Sequence, residues 1–246
     1  MGRYLALAYG LFCYAIFVAA TIYAIGFIGG FGVPKAIDDG RPSALPVALI
    51  VDAVLLGVFA LQHSVMARPA FKALWTRVIP ASVERSTYVL LSSLALALIF
   101  CLWRPIAQPV IWSTSTAWVS KTLWVVFALG WLIAFTSTFL IDHFDLFGIR
   151  QAWSAQRSGE APPPEFRTPL FYRVVRHPLY LGFIIAFWAT PHMTLAHFAF
   201  ALATTGYVCV AIQLEERDLI AVFGDTYRRY RSSVSMIVPW APRKRN

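Results

Sequence analysis

Arg176-His177-Pro178-Leu179-Tyr180-Leu181-Gly182 sets a guanidinium, an imidazole and a phenol at the edge of an apolar stretch. Glu215-Glu216-Arg217-Asp218 closes the apolar stretch that follows. Ionisable groups at a membrane boundary are costly to keep dry, so both clusters are candidate functional sites. Together they supply the parts of a pocket for an amphipathic molecule with separated charges. A helix opening near Pro178 turns backbone N–H groups toward a carboxylate or phosphate. Arg176 adds a fork of donors. Glu215 or Glu216 can accept from a ribose diol or balance a positive centre. Tyr180, Tyr227 and Tyr230 offer aromatic faces to a purine or a sulfonium. Gly182 leaves room for a helix or a ligand to come close.

S-adenosylmethionine carries each complementary part: carboxylate, diol, purine and sulfonium. Other chemistries fit less well. His63, His143 and His177 with nearby carboxylates suit a metal in kind, but no His-x-x-x-His or Glu-x-x-His pair occurs among them, so no metal is expected. No Gly-x-Ser-x-Gly elbow supports hydrolysis. The glycines of Gly26-Phe27-Ile28-Gly29-Gly30-Phe31-Gly32 follow a membrane helix and lack the preceding strand of a nucleotide loop. Cys13, Cys101 and Cys209 lie far apart inside apolar runs and read as small hydrophobes.

The elements that hold these groups must be membrane helices. Of 246 residues, 59% are hydrophobic and 13% charged, with a mean hydropathy of +0.63. Soluble domains carry about 25% charged residues. An all-α polytopic membrane protein is expected, with four spans, a C-terminal helical hairpin and a cytoplasmic C-terminal segment. A span needs about 20 apolar residues. Residues 4–27, 45–65, 88–103 and 123–141 qualify, the third being short and extendable to Ser86. The first is too long for a signal-peptide core and lacks a small-x-small cleavage site, so it is expected to remain. From Leu179 to Ala189 is 11 residues, roughly 17 Å of helix, too short to cross. Thr190-Pro191-His192 then breaks the stretch. The second arm of the hairpin should run from about Thr194 through Glu216 to Phe223, with Gly224 as its stop.

Lys and Arg sort by loop. Arg3, the loop after the second span, the loop after the fourth and the C-terminal tail hold 17; the other side holds Lys35, Arg41, Arg104 and Lys121. The positive-inside tendency therefore makes both termini cytoplasmic and explains the net charge of +9 by topology, with no nucleic-acid partner. The chain is expected to form one domain over 1–246: a four-helix part (1–141), a loop (142–175) around Pro162-Pro163-Pro164, and the hairpin with its tail (176–246). His63 closes the second span and His143 follows Asp142 at the end of the fourth. Both should face the cytoplasm with His177 and the acidic cluster. Asp52 stands about a third of the way into the second span, the one charge buried mid-span, where a polar group of a neighbouring helix could pair with it.

Arg-His-Pro-x-Tyr-x-Gly at 176–182, then Glu215-Glu216, Phe223-Gly224 and Tyr227-x-x-Tyr230, resembles the isoprenylcysteine carboxyl methyltransferase type of integral membrane methyltransferase. The match covers roughly residues 172–239. In the N-terminal half, Gln62-His63-Ser64-Val65-Met66-Ala67-Arg68 and Asp142-His143-Phe144-Asp145-Leu146-Phe147-Gly148 resemble the nurim-like group. Within that group the chain is similar over nearly its whole length to bacterial thiol methyltransferases. The resemblance implies a protein of the bacterial cytoplasmic membrane that methylates methanethiol from S-adenosylmethionine, giving dimethyl sulfide and S-adenosylhomocysteine. It implies a cytoplasm-facing pocket and carries the cofactor motif onto Arg176, His177, Pro178, Tyr180, Gly182, Glu215, Glu216, Tyr227 and Tyr230. Position adds His143 and His63 as candidate bases for the thiol, with Asp142 and Tyr172 behind them. Alternatives are another thiol, carboxylate or lipid acceptor, or a non-catalytic membrane protein.

Overall fold

The computed structural model describes residues 2–154 and 166–239. Pro162-Pro163-Pro164, Arg157 and the basic Arg243-Lys244-Arg245 lie outside the described residues. The chain is an all-α polytopic membrane protein. Its helices are α1 (Arg3–Gly29), α2 (Leu45–Ala67), α3 (Pro69–Trp75), α4 (Ala81–Leu102), α5 (Ala117–Ile141), α6 (His143–Leu146), α7 (Ile149–Ser154), α8 (Pro178–Trp188), α9 (Leu195–Phe223) and α10 (Asp225–Ser233). Two short strands, β1 (Val110–Ser113) and β2 (His192–Thr194), pair with each other. Helices α1, α2, α4, α5 and α9 are long and apolar enough to cross a membrane. They expose large apolar side chains such as Leu11, Ile22, Ile50, Leu132 and Val210, where a helix facing water would be polar.

The spans expected at 88–103 and 123–141 start earlier, at Ala81 and Ala117. Glu84 in the first turn of α4, Arg85 just after it, and Lys121 in α5 made those turns look like loop. The hairpin is as expected: α8 holds 11 residues, α9 ends at Phe223, and Gly224 takes a φ of 53°. That positive φ is costly for a side chain and cheap for glycine. At 29 residues α9 is about 44 Å long. It exceeds a hydrocarbon core of about 30 Å by about nine residues, enough to carry Glu215 to Phe223 beyond it.

The chain divides into two compact units. The first contains Met1–Ile111, His143–Pro162 and Thr194–His197. Its core joins Phe27, Phe100 and Trp103 by aromatic contacts. Lys35 Nζ donates to the carbonyls of Cys101 (2.8 Å) and Trp103 (2.9 Å), the open carbonyl end of α4. Burial holds the Lys35 pKa below its ordinary value. Asp52 finds its polar partner in the Arg104 backbone N–H at 2.9 Å. Glu84 is also buried, but in the first turn of α4 rather than mid-span.

The second unit contains Trp112–Asp142, Pro163–Met193 and Phe198–Asn246. Here α5 and α8 pack through matched small residues, Gly130-x-x-x-Ala134 against Gly182-x-x-x-Ala186. A Cβ on Gly182 would stand 2.5 Å from Gly130 O and 2.6 Å from Ala134 N. In lipid, where no hydrophobic drive separates helix from solvent, such close backbone approach is a main source of packing energy. Trp131 contacts Phe183 and Phe187 beside this seam.

Candidate active site

Proline at the first position of α8 fixes the helix start, with His177 as its N-cap. The first amide drawn into the helical ladder is that of Leu181, which donates to His177 O at 3.1 Å. Arg176 and His177 are thereby held one step outside the helix, with their side chains turned to the last turns of α9. Arg176 Nε donates to Glu216 Oε1 at 2.7 Å, and His177 Nε2 donates to the same oxygen at 3.1 Å. Arg231 Nε approaches Glu216 Oε2 at 3.4 Å. Only 9% of the Arg176 side chain and 3% of that of Glu216 reach the surface. A carboxylate that deeply buried is stable only with cations on both oxygens, which this arrangement provides.

Glu215 behaves differently. Its side chain is 43% exposed, and its Oε2 lies 3.8 Å from His177 Nδ1. Adjacent carboxylates on one helix thus divide into a buried anchor and a half-open acceptor. The Tyr180 ring sits 5.8 Å from the His177 ring.

The tyrosines form a second layer. Tyr230 OH donates to Tyr172 O at 2.5 Å, and Tyr172 OH donates to Ser137 O at 3.4 Å. Tyr227 is 2% exposed, and Phe166 packs edge-on against both Tyr227 and Tyr230. Burial pushes the Tyr230 phenol up to about 12, and burial raises Tyr172 and Tyr227 further still. All three phenols are held protonated at physiological pH.

The second unit therefore brings together Arg176, His177, Pro178, Tyr180, Glu215, Glu216, Tyr227, Tyr230 and Tyr172. Gly182 is filled by α5 rather than open to a ligand. Asp142 caps α5 with an extended φ of −175°. His63 and His143 belong to the first unit. His63 lies between α2 and α4, within 3.0 Å of Tyr88 OH and 3.2 Å of Ser92 Oγ, stacked on Phe59. His143 shares a 2.8 Å hydrogen bond between its Nε2 and Tyr14 OH. Its ring is buried against Phe144 and Phe147, and burial holds its pKa below the ordinary imidazole value. Among the described residues no three His, Cys, Asp or Glu side chains converge as a ligand set.

Sequence reasoning missed Arg231, which it counted only among the basic residues of the C-terminal tail. Its spacing of four from the buried Tyr227 places both on one face of α10, and that was the available signal. It also missed the main chain of residues 234–236, which no side-chain pattern marks. Ser235 O accepts from Arg176 N at 2.8 Å, and Met236 O accepts from His177 N at 3.1 Å.

The family model described as NnrU protein matches residues 52–215. A relative from Bradyrhizobium diazoefficiens, methanethiol S-methyltransferase 2, is 57% identical over 235 residues, covering 95% of this chain and 89% of the relative. Methanethiol S-methyltransferase of Mycobacterium tuberculosis is 51% identical over 243 residues, covering 99% of both chains. Nurim of Bos taurus is 30% identical over 208 residues, covering 79% of this chain and 78% of its own. No solved structure matches the chain.

Proposed function

Because the chain belongs to the NnrU protein family, whose members similar to it over nearly their full length are methanethiol S-methyltransferases, we propose that it methylates methanethiol to dimethyl sulfide. The methyl donor in this reading is S-adenosylmethionine, used at the cytoplasmic side of a bacterial inner membrane with both chain termini on that side. The supporting observation is the pairing of a buried and an open carboxylate, Glu216 and Glu215, against the start of α8.

The residues fit that donor. The first turn of α8, outside the helical ladder, suits a carboxylate. Half-open Glu215 can accept from a diol or face a sulfonium, while Glu216 is spent on Arg176, His177 and Arg231. Tyr180 offers an aromatic face beside His177. When bound, the donor supplies an activated methyl on positively charged sulfur. The chain orients the reactants and keeps water out, which suffices for an in-line transfer to a thiolate. A thiol must first lose its proton. For that step we place His143 first, since burial keeps its ring neutral near pH 7, and His63 second.

The test is purified protein in micelles with labelled S-adenosylmethionine and a panel of thiols, carboxylates and lipids, with dimethyl sulfide read in the headspace. Labelled dimethyl sulfide with methanethiol is expected. A non-volatile product alone would move the activity to another acceptor. No calorimetric binding of S-adenosylhomocysteine would remove the methyl-transfer reading.

A further inference from the structure

Arg176 makes more hydrogen bonds to the C-terminal segment than to any other part of the described chain. Beyond its Nε bond to Glu216, its Nη1 donates to the carbonyls of Arg231, at 3.1 Å, and of Val234. These are carbonyls of the last turn of α10 and its C-cap, which a helix leaves without internal partners. A cation there also meets the negative end of the helix dipole. The backbone repeats the link, for Val175 and Ser235 form a parallel bridge, flanked by the Arg176 N–H to Ser235 O and His177 N–H to Met236 O bonds.

We propose that Arg176 is a positioning residue, a clamp that straps residues 234–236 and the end of α10 across the start of α8. It does not serve as the donor that grips the carboxylate of the bound cofactor. One guanidinium thus fixes three elements at once: the end of α9 through Glu216, the end of α10 through its carbonyls, and its own position before α8. The planar fork is what permits this, because Nε and Nη1 reach different partners from one rigid group, a geometry a lysine ammonium cannot copy. Gly224, with its positive φ between α9 and α10, is the joint about which the strap closes. His177 and Glu215 owe their placement to that closure, and the bearing of the clamp on catalysis rests on the methyl-transfer reading.

Hydrogen–deuterium exchange on the full chain in micelles, without donor, tests the clamp. In the native chain the Arg176 and His177 amides are expected to exchange as slowly as those of α10, as one opening unit. In Arg176→Lys, peptides covering 171–180 and 225–239 are expected to exchange at least tenfold faster, with other helices unchanged. In assays the same variant should raise the KM for S-adenosylmethionine. Native-rate exchange in both peptides of Arg176→Lys, alongside a raised KM, would make Arg176 a direct ligand and overturn the clamp. If that variant does not fold, the native chain still decides, for fast exchange of the 176 and 177 amides would overturn the clamp. Because exchange is read without donor, its outcome is separate from the fate of the methyl-transfer reading, which calorimetry with S-adenosylhomocysteine judges.

Discussion

Replacing Gly182 with alanine should weaken the seam between α5 and α8, although alanine is the better helix former. The added Cβ would stand 2.5 Å from Gly130 O, 2.6 Å from Ala134 N and 3.0 Å from Ala134 Cα. Every obstacle is backbone, so no side chain can swing aside. Ordinary contact begins at 3.4 Å, and the helices must part by about 0.9 Å, a strain of the overpacking kind that costs about 2–3 kcal/mol. Alanine in place of glycine returns about 1 kcal/mol of helix propensity, leaving a net loss of about 1–2 kcal/mol. Gly206→Ala in α9 is the matched control, because nothing lies within 4 Å of its Cβ. It should gain about 1 kcal/mol. Propensity cancels between the two variants, so their difference, about 2–3 kcal/mol, isolates the packing term. Equilibrium unfolding in mixed micelles by SDS titration, followed by tryptophan fluorescence with Trp131 beside the seam, reads it. Two variants within about 0.5 kcal/mol of each other would refute the close-approach argument, that being the usual scatter of neutral changes.

Glu216→Gln removes the carboxylate shared by Arg176, His177 and Arg231, leaving His177 only Glu215 at 3.8 Å. Breaking a buried pair from one side costs about 3–5 kcal/mol, so methyl transfer per folded molecule should fall at least about a hundredfold, read by labelled product. His143→Ala should lower turnover more than a few-fold and alter its pH profile. If neither it nor His63→Ala does so, the base lies elsewhere. His143 also contributes to stability with a definite sign. Because burial depresses its pKa below 6.5, its stabilising share is complete above that value and is lost as pH falls, since the unfolded chain takes up the proton first. Melting in micelles should show a shallower acid slope for His143→Gln. Tyr230 acts at the other end. Its phenol rises from 10.0 to about 12, so its share is complete below pH 10 and is lost as pH rises toward 12. Tyr230→Phe should reduce the alkaline slope of the melting curve.

Much of this was legible in residue type and spacing. The hairpin followed from Pro191, the short run before it and Gly224 after it, since the stretch is too long for one span and cramped for two. That the Arg176-His177 cluster meets the Glu215-Glu216 cluster followed because the two bracket one hydrophobic unit, but which carboxylate holds Arg176 and His177 did not. Helix starts were less legible. Glu84 and Arg85 look like loop residues, yet Glu84 is buried inside the first turn of α4. The partner of Gly182 was not legible at all, because a glycine announces space without saying whether a helix or a ligand fills it. Nor was the pairing of 175–177 with 234–236, which runs through main-chain atoms common to every sequence.

Lys35 has a consequence for the making of the protein. Its carbonyl partners, Cys101 and Trp103, follow it by 66 and 68 residues. During synthesis the turn after α1 is therefore complete in sequence long before it can be latched, and its ammonium waits, hydrated, until α4 has been inserted. A nascent chain that ends before α4 still lacks both carbonyl acceptors of that lysine, so the turn after α1 is closed by a segment made much later.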